Sequence, residues 1–183
     1  MQKSNLRNIT AVMAKIIEVL SWIGAVCIVL SMIVLFATRD MIAEAYKRGA
    51  FDSQSISVTG VDSEAFINSL MNGSGIVALV PFVFFCALSA LIFRNIYKVF
   101  QKANGDSPFS EANVKRIKNI GYYALAIPVS KIVMYAVFAV IVGINNLNIS
   151  ISLSEVVFGL VALCLAQYFA YGAELQREVD GLL

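Results

Sequence analysis

"IVALVPFVFFCALSALIF", residues 76–93, carries no charge, and its nearest charged neighbours are Glu64 and Arg94. A helix of that length rises about 27 Å, close to the thickness of a bilayer's hydrocarbon core. Three further runs repeat the pattern. Leu20–Ala37 lies inside a charge-free stretch between Glu18 and Arg39, Asn119–Gly143 is interrupted only by Lys131, and Ile149–Gly172 carries Glu155 near its start. With 59% hydrophobic and 14% charged residues, the chain is too apolar for an ordinary soluble domain. The expectation is an all-α integral membrane protein, a four-transmembrane-helix bundle in one domain over residues 1–183. Its spans fall at about 16–37, 75–97, 119–143 and 149–172. Between them lie an outer loop (38–74) and an inner connector (98–118), and a tail (173–183) follows.

Lys3, Arg7 and Lys15 precede the first run in the manner of a signal peptide. The run is longer than a usual signal core, and "VLFATRD" holds no A-x-A cleavage site, so it reads as a retained helix. The basic residues then set the orientation. Ten lie on the side of the N-terminus, the 98–118 connector with its flanks, and the tail, against Arg39, Lys47 and Arg48 on the other. Because Lys and Arg favour the cytoplasmic side in short loops, both termini are expected in the cytoplasm. Tyr97, Tyr122, Tyr123, Tyr168 and Tyr171 fall at the same ends of the spans, where an amphipathic ring suits the headgroup layer.

Each connector has its own local chemistry. In the outer loop, "TRDMIAEAYKRG" prolongs the first helix to Gly49, "SISVTG" alternates like a short strand, and "VDSEAFINSLMNGSG" reads as a helix. Asp62 or Ser63 would cap that helix, Phe66, Ile67, Leu70 and Met71 would form its apolar edge, and Gly73 would end it. A packing cap and a ligand-contacting lid both fit it. In the inner connector, Asn104-Gly105-Asp106 is turn chemistry and Ser110 is the expected N-cap, with Glu111 in the first turn. Phe109 and Val114 have the spacing of a hydrophobic staple, and Pro108 fixes the entry, or sits at N1 if Ser107 is the cap.

Lys131 lies near mid-membrane, where a lysine costs about 2.5 to 3.5 kcal/mol on insertion scales. A turn near Asn146 would leave it offset from Glu155 by about 10 Å along the axis. Ser130 and Tyr135 complete a candidate intramembrane polar site. Two readings fit it, an ion pair that fixes helix packing and a cavity for an ion, proton or small ligand. Pro81 and Pro128 inside the spans predict packing kinks.

Cys27, Cys86 and Cys164 show no metal or redox spacing, and the chain has no histidine. No Walker A, Rossmann or H-E-x-x-H pattern occurs, and the spans lack aspartates. The expectation is a protein without catalytic, metal or cofactor residues.

Two elements, "GDSPFSEANVKRIKNIGYYA" (105–124) and "FAYGAELQREVDGLL" (169–183), carry a family likeness. Through Gly105, Pro108, Phe109, Asn113, Val114, Arg116, Ile117, Ile120 and Gly121, then Gly172, Leu175, Gln176, Glu178 and Asp180, the chain resembles the bacterial membrane family catalogued as domain of unknown function 2975. It departs from the commoner "TEEN" with "SEAN" and from "DETL" with "DGLL". The resemblance implies a bacterial inner-membrane protein and a link to a small helix-turn-helix regulator, but no activity. Pro108, Phe109, Asn113, Arg116, Gly121, Gly172, Gln176, Glu178 and Asp180 form the candidate cytoplasmic surface. Glu174 and Glu178, four residues apart, would face Lys115, Arg116 or Lys118. The expected partners are the lipid bilayer, a cytoplasmic regulator and a second copy of the chain, with no direct contact to nucleic acid. Three functions stay open: an adaptor docking a soluble partner, a transporter or channel subunit using Lys131 and Glu155, and protection against membrane-active peptides.

Overall fold

A computed structural model of the protein describes residues 2–49, 68–101, 109–142 and 153–181. The described residues are almost wholly helical, with no strand. Four long helices dominate: α1 (Gln2–Lys47), α2 (Val80–Phe100), α3 (Glu111–Val142) and α4 (Leu153–Asp180). Each contains, or adjoins, an apolar segment long enough to cross a membrane. This is therefore an all-helical, multi-pass membrane architecture. The "SISVTG" segment, Asp62, Ser63, Phe66, Ile67, the turns at 104–106 and near Asn146, and Pro108 lie outside the described residues.

α1 is 46 residues long, about 69 Å, more than twice what a hydrocarbon core requires. The extension expected from "TRDMIAEAYKRG" is present: helix continues to Lys47, and Gly49 adopts φ +71°, the left-handed conformation that stops a helix. Few large side chains of α1 are shielded. Val26, Leu30, Ile33 and Val34 are each more than half exposed, a surface that belongs against acyl chains rather than water.

By contacts the chain forms two packed units. The first comprises Met1–Trp22, Cys86–Pro128 and Ser152–Leu183. Its core is Ile92 of α2, Ile120 and Ala124 of α3 and Ala162 of α4, flanked by Ile96, Tyr123 and Ile127. α1 joins through Ala11, Ala14, Glu18 and Ser21, spaced three and four residues apart and so on one helix face. Small side chains there let backbones approach, and Ser21 Oγ lies 3.4 Å from Ser89 Oγ of α2.

The second unit comprises Ile23–Phe85 and Val129–Ile151. A helical turn over residues 68–71 ends at Gly73, whose φ of +75° requires glycine, as its place in the sequence predicted. Leu70 and Met71 from this turn share one crevice with Leu35, Arg39 and Ile42 of α1 and Ile76. Ser74 Oγ donates to the Ser69 carbonyl at 3.2 Å, and Gly75 presses so close that a Cβ would stand 2.7 Å from Ser69 Oγ. A short helix, Ser74–Val77, stops before Pro81. Pro81 thus sits in the first turn of α2, where a missing N–H costs nothing, and its ring excludes continuous helix from Val77. The two prolines differ in this. Pro128 is inside α3, which runs on past it to Val142.

Candidate functional site

The geometry with most information lies where α3 begins. Ser110 caps the helix: its Oγ accepts the Asn113 N–H at 3.4 Å, while its carbonyl accepts those of Asn113 and Val114 at 2.9 and 3.0 Å. The cap fixes the direction in which the next residues point. Asn113 is buried, and its Oδ1 accepts from Arg116 Nη1 at 2.9 Å. The same Nη1 donates to the Lys98 carbonyl at 3.1 Å. Lys98 is in the last turn of α2, where carbonyls have no intrahelical partner, so α3 supplies the missing donor. A guanidinium reaches two acceptors at once because its donors form a planar fork.

Phe109 is placed by the same cap. Its ring packs tilted against Phe169 of α4, centroids 5.3 Å apart. It also fills the space beside Gly172, where a Cβ would stand 2.8 Å from the ring. Gly172 is therefore a seat for an aromatic ring. Further along, Gly121 and Gly159 let α3 and α4 touch. A Cβ on Gly121 would meet Leu163 at 2.7 Å, and one on Gly159 would meet Leu125 at 2.7 Å. Each glycine receives a leucine from the opposite helix, the close approach that small residues permit in membranes.

Of the residues expected on the cytoplasmic surface, Phe109, Asn113, Arg116, Gly121 and Gly172 thus hold helices together. Gln176 and Glu178 differ, being exposed on the last turns of α4 with Leu175 and Val179. Asp180 ends that helix, and its side chain lies outside the described residues. Glu174 does face Lys115 and Lys118 across a groove between α3 and α4, which also holds Glu111 and Arg177. Among the described side chains, no carboxylate approaches Lys115, Arg116 or Lys118 within ion-pair distance.

The model of the family described as "Protein of unknown function (DUF2975)" matches residues 3–181, nearly the whole chain. This protein belongs to the DUF2975 family. Comparisons with curated proteins and with solved structures gave no match.

The intramembrane polar residues of this DUF2975 protein divide between the two units. Ser130, Lys131 and Tyr135 are half-buried on α3 in the second unit, with Lys131 and Tyr135 one turn apart. Glu155 stands in the first turn of α4 in the first unit, half-buried, with its Oε2 shielded from solvent. It lines a crevice of about 170 Å³ with Ser154, Phe158, Ile92, Ala124 and Ile127.

Sequence reasoning missed two residues here. Glu18 reads from sequence as an interfacial charge, yet it is only 6% exposed. Lys15 Nζ lies 3.0 Å from its Oε2 and 5.1 Å from the centre of the Tyr97 ring, so one ammonium serves α1 and α2 together. The buried face of α1, Ala11-Ala14-Glu18, carries a three-four spacing that signals this. Gly159 was the other omission; its signal is a lone glycine in an otherwise large apolar run.

Proposed function

We propose that this DUF2975 protein is a non-enzymatic membrane adaptor. In this reading it resides in the bacterial cytoplasmic membrane with both termini inside. The last turns of α4 are its docking surface for a soluble partner, a small helix-turn-helix regulator of the kind the family resemblance implies. Holding that partner at the bilayer keeps it from its other work in the cell.

One observation carries the proposal. Residues of the two family elements sort into a lock and a projection: Phe109, Asn113, Arg116, Gly121 and Gly172 are engaged in packing, whereas Leu175, Glu178 and Val179 stand exposed on a helix that the lock fastens to its neighbours. A surface presented on a rigid element needs little ordering when a partner arrives. Leu175 and Val179 are 45% and 58% exposed beside charged neighbours, giving the mixed apolar and polar character of a recognition patch.

The test uses the detergent-solubilised full chain and a purified small helix-turn-helix regulator from the same cell. The expected result is saturable binding that falls about tenfold or more in Leu175→Ala/Glu178→Lys, while thermal stability stays at the wild-type value. Equal binding by that variant, or no binding by the wild type, refutes the adaptor reading.

A further inference from the structure

The groove between the first half of α3 and the second half of α4 continues beyond its charged end. Two adjoining cavities, of about 290 and 490 Å³, share Val114, Lys118 and Ala170. Val114, Lys118 and Tyr122 recur every four residues on α3 and so form one wall. On α4 the floor is Ala166, Ala170 and Ala173, again one helix face. Alanine at these places leaves the channel open, since larger side chains would close the gap between the helices.

The two ends differ in chemistry. Toward Tyr122 and Leu163 the lining is mainly apolar, with Gln167 beside the alanines, and the groove runs along two helices long and apolar enough to cross a membrane. At the other end stand Lys115, Lys118 and Arg177 with Glu111 and Glu174, three cations to two carboxylates. All five are exposed, and among the described side chains none forms an ion pair. Lys118 Nζ lies 5.8 Å from the centre of the Tyr122 ring, at the junction of the two ends. One monoanion would balance the charge of this rim.

An apolar trough within the bilayer, ending at a rim with one surplus positive charge, has the chemistry of a single-chain lipid seat. We propose that the α3–α4 groove binds an anionic membrane phospholipid. One acyl chain lies on the Ala166–Ala170–Ala173 floor, and the phosphodiester meets Lys118, Lys115 and Arg177. The lipid comes from the leaflet on the side of the 98–118 connector, whichever face of the membrane that is. The site does not depend on the adaptor reading, because Gln176 and Glu178 do not line the groove.

Native mass spectrometry of the intact detergent-solubilised protein, titrated with phosphatidylglycerol or phosphatidylcholine, tests the site. Retained phosphatidylglycerol adducts are expected, at least fivefold over phosphatidylcholine. Lys118→Gln/Arg177→Gln should lower phosphatidylglycerol retention about thirtyfold, each of the two cations near a membrane surface being worth about 1 kcal/mol. Ala170→Leu, which fills the floor and keeps every charge, should abolish retention of both lipids. Glycerol phosphate, a headgroup without a chain, should displace nothing. Equal retention of the two lipids, full retention by Ala170→Leu with a wild-type melting temperature, or displacement by glycerol phosphate each overturns the proposal. If Ala170→Leu misfolds, the charge variant and the glycerol phosphate arm still decide.

Discussion

The two packed units differ in what holds them. The first is fastened by directed contacts between elements: the Arg116 fork to Asn113 and Lys98, the Phe109 ring beside Gly172, the Lys15 ammonium between Glu18 and Tyr97, and two glycines each receiving a leucine. In the second, the Ser74 hydroxyl reaches the Ser69 carbonyl, but along α1 the hydroxyls of Ser31 and Thr38 turn back on their own helix, donating to the Cys27 and Val34 carbonyls at 2.8 Å. Such bonds keep a hydroxyl satisfied in an apolar setting but specify no neighbour. Apolar packing alone admits many substitutes of similar volume, whereas forks and ring seats admit few. The comparison predicts that mutational sensitivity concentrates in the first unit.

The largest effect should come from closing a helix contact. Gly121→Val places new atoms on Leu163 and against the Gly159 carbonyl, and should destabilise the protein by about 3 kcal/mol, read from unfolding in mixed micelles. A wild-type value there would erase the contrast between the units. Next, Phe109→Ala empties the ring seat. Because Phe109 is 40% exposed, the expected loss is about 2 kcal/mol, below that of a fully buried aromatic. A double-mutant cycle sharpens the point: Arg116→Met and Asn113→Ala should show a coupling of about 1 kcal/mol, since each removes one end of the same hydrogen bond. Additivity would mean that the fork does not fasten anything. The smallest effects belong to the second unit, where Ser31→Ala and Thr38→Ala should each stay within about 0.5 kcal/mol of wild type.

What the sequence made legible was local. Four apolar runs, the Ser110 cap, the stops at Gly49 and Gly73 and the prolonged first helix depend on neighbours within a few residues, and all appear as expected. Phe109 shows where local reasoning ends. Its spacing from Val114 predicts a staple within the connector, and gives no hint that Phe169 and Gly172, some sixty positions away, also receive its ring. Arg116 likewise counts in sequence as one cation among six around the inner connector. Its role depends on the Lys98 carbonyl, and a backbone acceptor on another helix leaves no mark in composition or period. The burial of Glu18 is hidden for a similar reason: a carboxylate three residues from a lysine has the same sequence appearance on a wet face as on a buried one.

The hydrogen bond from Arg116 to Lys98 spans the connector by a route that bypasses the chain itself. The register of α2 and α3 at this end therefore does not rest on the covalent link alone. Two separately translated pieces, 1–101 and 109–183, should reassemble in one membrane, and the same latch would let this segment vary in length without disturbing the helices it joins.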